Sequence, residues 1–215
     1  MRKSVMVVLM LMTVLFGFAG EKGFLLKFHQ ALIDGLPPSF EGELQSSSIS
    51  KKLGTIPKDM VAPGQKLRLV FLYQKGKGVQ LQVRGLTKDG EELYGDIFQP
   101  YMRLFTLGPL LLGSPSANTW EGYTVTNLVD DEKSAILSLV PKNTANEYIL
   151  YIDKQNLRLL RLDFKGSGFL TSTILKFTQK DGYWIPEVFL NKTITEDNPD
   201  PLPERYQLVN ITIRK

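Results

Sequence analysis

Apolar residues recur along this chain at two different periods. Over 24–36 the spacing is helical: Leu25, Phe28, Leu32 and Leu36 fall on one face. Gly35 and Pro37-Pro38 then stop the helix. After that the period drops to two. Phe40, Gly42 and Leu44 alternate in a first strand over 40–50. Leu67, Leu69, Phe71 and Tyr73 alternate over 66–73, and Val79, Leu81 and Val83 over 79–84. The stretch Gln74-Lys75-Gly76-Lys77-Gly78 between these two reads as a hairpin, because its glycines take positive φ without cost. Residues 53–65 read as a loop, Lys88-Asp89-Gly90 as a turn, and 93–98 as a further strand.

The stretch 99–113 follows neither period. Pro100 suits the first position of a helix. Tyr101, Met102, Leu104, Phe105, Leu107, Leu110, Leu111 and Leu112 make it apolar on nearly every side, with a break at Gly108-Pro109. It is too short to cross a bilayer. It is either a buried filler of the core or a lid over an apolar hollow. From Trp120 onward strands and short turns repeat over 123–128, 134–140, 147–152, 157–164, 170–179, 183–192 and 207–214. Lys180-Asp181-Gly182-Tyr183 is a strong hairpin signal, and the prolines at 199, 201 and 203 demand an irregular loop. About ten strands against one or two helices predict a mainly β, α+β chain built on a large antiparallel meander. Such a sheet must curl, since strands twist. The segments 24–36 and 99–113 are the plugs available for its concave face.

The first residues read as an export signal: Arg2 and Lys3, an apolar run over 5–16, then small residues before a cut after Ala19. A retained anchor is the alternative, but the run falls short of the roughly 20 residues that span a bilayer. Residues 20–215 then form one domain, placed in a bacterial periplasm. Removing Arg2 and Lys3 takes the net charge from +4 to +2, so nothing argues for nucleic acid. With no cysteine, disulfides, thiol catalysis and a lipid-modified N-terminus are all excluded.

Candidates for chemistry are sparse. His29 is the only histidine, and it reads as a surface or rim residue more readily than as a base. Gly166-Ser167-Gly168 resembles a nucleophile motif but has strands on both flanks, so it reads as a hairpin turn. Asp153 and Asp163 are placed to pair with Arg158 or Arg161. Arg68, in Leu67-Arg68-Leu69-Val70-Phe71, is either an outward arginine or an inward one that secures a lid or meets a head group; Arg84 and Arg103 share the ambiguity. No catalytic residue, cofactor or metal site is expected.

The order of parts resembles a known family. After the leader and helix comes Phe40-Glu41-Gly42, then Leu-Arg-Leu-x-Phe at 67–71 and the apolar segment at 101–112. Leu139-Val140-Pro141-Lys142 follows, then Tyr-x-Leu-Tyr-Ile-Asp-Lys at 148–154 and Asp-Gly-Tyr-Trp-Ile-Pro at 181–186. This looks like the outer-membrane lipoprotein-sorting, LolA-like periplasmic carriers. The resemblance implies an unclosed β-barrel with helices plugging its mouth and a hollow for acyl chains. It also implies that Arg68 secures the lid. A chain of about 16 methylenes resists entering water by roughly 12 kcal/mol, which is why a greasy host is needed.

The expected apolar lining is Leu69, Phe71, Leu81, Val83, Leu137, Leu150, Leu175 and Val188. The expected lid is Tyr101, Met102, Phe105, Leu107, Leu110 and Leu111. The partners implied are lipid or lipoprotein acyl chains, an inner-membrane transporter and an outer-membrane acceptor, with the carrier itself a monomer. The rivals are an envelope sensor or protein-interaction module on the same fold, and a hydrolase using Ser167 or His29.

Overall fold

The computed structural model describes residues 20, 22–105 and 120–214. The expected leader and the lid positions Leu107, Leu110 and Leu111 lie outside them. The chain is mainly β. Ten antiparallel strands form one sheet in the order β3-β2-β1-β10-β9-β8-β7-β6-β5-β4, with β3 and β4 as its two unjoined edges. The strands are β1 Ser39–Gln45, β2 Arg68–Gln74, β3 Gly78–Arg84, β4 Tyr123–Asp130 and β5 Ser134–Pro141. They continue with β6 Glu147–Asp153, β7 Arg158–Gly166, β8 Phe169–Lys180, β9 Tyr183–Thr195 and β10 Glu204–Arg214. Every neighbour in the sheet is also a neighbour in sequence except one: β1 pairs with β10.

The sheet curls, as its twist requires. Phe71 on β2 and Phe189 on β9 have ring centroids 6.3 Å apart, although three strand spacings, about 14 Å, separate their backbones across a flat sheet. Alternate residues therefore converge on a concave side, where one buried apolar cluster gathers inward side chains from all the strands from β1 to β10 except the low-lying edge positions.

Helix α1, residues 22–35, lies in this hollow. Its buried stripe is the one the 3.6-residue spacing marks, Leu25, Phe28, Leu32 and Leu36, with Ile33 added. The connection from β3 to β4 runs from one edge of the sheet to the other, and it buries Phe98 and Phe105 in the same cluster.

Three expectations fail locally. The strand over 40–50 ends at Gln45, and α2, Ser47–Leu53, follows. The Ser46 hydroxyl caps it by accepting from the Ile49 amide at 3.1 Å, so a serine cluster that reads as strand starts a helix instead. The turn at 88–90 is the first turn of α3, Lys88–Tyr94, capped by Thr87 and favoured by Asp89 and Glu91 near its positive end. The strand over 93–98 does not exist, and Leu93, one of its inward positions, is 63% exposed. A single turn of helix, α4, Met102–Phe105, follows a 3-10 turn at Gln99–Tyr101 that has Pro at its start. The hairpins at 74–78 and 180–183 form as read, with Asp181 and Gly182 both at positive φ.

Gly85 ends β3 at φ +95°, and a Cβ there would stand 2.6 Å from the Lys66 carbonyl oxygen. Gly85→Ala should lower the unfolding free energy by about 2 kcal/mol or more, read from urea melts.

Candidate ligand-binding face

Seven of the eight expected lining residues meet in the buried cluster: Leu69, Phe71, Leu81, Val83, Leu137, Leu150 and Leu175. Pairing register explains the agreement. Leu69 stands opposite Val83 and Phe71 opposite Leu81 on the short edge hairpin. Leu137 stands opposite Leu150, and Leu150 opposite Leu162, farther round the sheet.

Val188 is the correction. It is buried yet stands outside the cluster, paired in register with Lys176 and Gln207 on the convex side. Its neighbour Phe189, opposite Leu175 and Tyr206, faces the hollow. Val188-Phe189-Leu190 is apolar at every position, so alternation gives no sign of which face is which, and one step reverses the strand. A register shift beside Val188, at Lys176/Phe177, adds to the ambiguity.

At the centre of the hollow is an aromatic hub around Phe105 of α4. Its ring meets Phe189 at 5.1 Å, Tyr206 at 5.3 Å and Phe71 at 6.1 Å, edge-on in each case. Phe40 stacks on Phe71 at 5.8 Å and tilts onto Tyr73 at 5.2 Å. Each such pair adds about 0.5–1.5 kcal/mol beyond area burial. Burial pushes the Tyr73 hydroxyl up to about 12 and raises Tyr206 as well, with Glu204 beside it adding to the latter. Of the expected lid, Phe105 is fully buried, and Tyr101 and Met102 are half-buried against the same cluster. The Lys52 ammonium of α2 lies 5.1 Å from the Tyr101 ring and 5.6 Å from Phe98, holding this crossing to α2.

A second aromatic run starts against the hollow and leads out to the β7–β8 hairpin, and sequence reasoning missed it. Trp120, Tyr123, Tyr148, Phe164 and Phe169 follow one another at 5.6, 6.2, 4.8 and 5.6 Å. Only the pairing of β6 with β7 places Tyr148 opposite Phe164, so no local spacing reveals it.

His29 overturns its expectation. It is fully buried, not a rim residue, with its ring 5.2 Å from Trp120 in an edge-to-face contact. It stands four residues from both Leu25 and Ile33, so helical spacing puts it on the buried stripe of α1 beside Phe28. Ser167 sits exposed at the tip of the β7–β8 hairpin, where Gly168 has φ +75°.

Arg68 is exposed at the start of β2 and alternates with Leu69 and Phe71, so it belongs to the convex side, away from the lid. The outward reading of this arginine therefore holds, and securing a lid is not open to it there. Arg84, opposite Arg68, is engaged instead by Glu41: its Nη1 and Nη2 donate to the carboxylate at 3.3 and 3.0 Å. Arg214 Nη2 donates to the same carboxylate at 2.6 Å. The hydrogen bonds from Arg84, joined by those from Arg214, hold Glu41 below the usual carboxylate range against the opposing effect of burial. Asp163 and Arg161 pair as expected, through two bonds of 2.7 Å along one strand, and Asp153 stands opposite Arg158. Among the described residues no group of three or more His, Asp or Glu side chains is arranged to hold a metal ion.

No protein-family model and no curated protein matches the chain.

Two outcomes follow from this geometry. Phe105→Ala removes the hub's central ring and should cost about 3–5 kcal/mol in a urea melt. Glu41 contributes stability that is fully present above its unfolded pKa, about 4.5, and is lost as pH falls through its lower folded value. Glu41→Gln should therefore be less stable than the parent at pH 7, with the gap narrowing as pH falls below about 4.5 in paired melts.

Proposed function

We propose that this protein is an exported, non-enzymatic carrier of the LolA-like kind that holds acyl chains of lipids or lipoproteins on the concave face of its sheet. The observation that carries the reading is how the hollow is filled. Among the described residues its sheet-borne lining is largely apolar, with a polar stretch at Thr171, Thr173 and Asn191, and what covers it is not a second sheet but α1 and the start of the β3–β4 crossing with Phe105. Among the described residues neither piece contributes a strand to the ten-stranded sheet, so either can lift without breaking it.

A plugged hollow suits transport through water. The empty form hides its apolar surface, and a ligand displaces side chains of the protein rather than exposing them to solvent. Affinity then stays moderate, because each methylene gained by the ligand is partly offset by the covers released. In this reading the protein passes its cargo from an inner-membrane donor to an outer-membrane acceptor as a monomer.

A second reading keeps the fold but drops the cargo: an envelope sensor or interaction module. It is favoured by the close edge-to-face packing around Phe105.

Fluorescent fatty acid of 16 carbons separates the two. The parent should bind it. Phe105→Ala should bind several-fold tighter, because the competing ring is gone, and Leu150→Asp should abolish binding. A folded parent and a folded Phe105→Ala variant that both ignore the probe, together with a preparation that carries no lipid by mass spectrometry, leave only the interaction module.

A further inference from the structure

Residues that alternate with the core-facing ones lie on the convex side of the sheet. When one face of an antiparallel sheet is buried, this other face is ordinarily polar. Here one row of directly paired positions crosses seven strands. It runs Val129, Ile136, Tyr151, Arg161, Ile174, Leu190 and Arg205, from β4 to β10. At about 4.8 Å per strand the row is about 29 Å long. Val129 is 52% exposed and Ile174 43%, and Leu160 beside them is 45% exposed. Ile136, Tyr151 and Leu190 are half-buried, and none of the row belongs to the buried core.

The charges around this row are lopsided. Arg158, Arg161, Lys165, Lys176, Lys192 and Arg205 stand on the same side by register. The carboxylates there are Glu147, Asp153 and Asp163, with Glu187 beside the register shift. Each of the first three already faces or binds a cation: Lys165, Arg158 and Arg161. Lys192 reaches Asp200 at 2.7 Å. Lys176, opposite Val188, has Glu187 across the register shift but bonds to no carboxylate among the described residues, and Arg205 bonds to Gln207. An apolar ridge edged by cations has the chemistry of a surface that sits in the head-group layer of a membrane.

We propose that this convex ridge seats the protein on an anionic lipid surface. The aliphatic residues enter the head-group boundary, the Tyr151 ring lies at its polar edge, and the stems of Lys176 and Arg205 run beside the ridge while their charged heads meet lipid phosphates. A fluid bilayer yields around a convex ridge. A second copy does not: two convex faces touch along a line, and a two-fold pairing of the rows would set Arg161 of one against Arg161 of the other. The seat goes beyond the carrier reading, because it uses the opposite face of the sheet and needs no opening of the hollow.

Sedimentation of the purified protein with large vesicles tests it, using phosphatidylglycerol and phosphatidylethanolamine at 1:3 against pure phosphatidylcholine. The parent should sediment with the anionic vesicles and be released by high salt. Val129→Asp with Ile174→Asp should weaken binding about tenfold, as should Lys176→Glu with Arg205→Glu. The milder pair Val129→Ser with Ile174→Ser should weaken it in the same direction without disturbing the fold. Leu93→Asp, equally exposed but on α3, should change nothing. Binding that survives the ridge variants, or that is equal on phosphatidylcholine, overturns the proposal. So does a dimer in analytical ultracentrifugation that the ridge variants dissolve while vesicles remain unbound. Loss of fatty-acid binding alone bears on the carrier reading and leaves the sedimentation result intact.

Discussion

One ladder makes this a single sheet: the pairing of β1 with β10. Every other ladder joins strands that follow one another in the chain, most of them through short turns, so each costs less in loop closure. The β1–β10 contact joins residues near 40 to residues near 210 and brings the N-terminal three strands onto the end of a seven-stranded meander. Without it the two halves of the concave face do not meet. The seam is pinned on its outer side by Glu41, which sits on β1 and receives Arg84 from β3 and Arg214 from β10. It is packed on its inner side by Gly42, where a side chain would press on Ile211 and on the Val209 carbonyl at 3.3 Å. The Phe40-Glu41-Gly42 run is thus a sequence of three jobs at one seam: core ring, ionic clasp and close approach.

Once the seam exists, the hollow has to be filled, because a one-layer sheet cannot bury its own inner face. The chain supplies α1 before β1 and the crossing between the two edge strands. Both are amphipathic or apolar, and both put aromatic residues where strands from the two halves converge. The arrangement separates two kinds of stability. The ladders carry the sheet, and the packing of Phe105, Phe28 and their neighbours carries the covers. A carrier requires that division, since its covers must yield while its frame does not.

The two faces of the sheet also divide the chemistry. Inward positions are mostly apolar or aromatic, with Thr171, Thr173 and Asn191 as a polar stretch on β8 and β9. Outward positions mix cations with isoleucine, valine and leucine, which a purely solvated face does not need. The carrier proposal and the membrane seat rest on these opposite faces, and each stands or falls on its own.

Much of this was legible in the residues themselves. Period-two alternation located most strands, and glycine or aspartate in tight turns located the hairpins at 74–78 and 180–183, because those signals are local and steric. Helical spacing found the buried stripe of α1. Sequence alone did not reveal α2 and α3, where a serine or threonine cap decides between strand and helix. It also could not assign Val188 to a side, because an unbroken apolar run carries no parity. His29 reads as a rim residue for its polarity, although it stands four residues from both Leu25 and Ile33 on the buried stripe. Local chemistry determined which elements form; only long-range pairing across β1 and β10 decided what each of them faces.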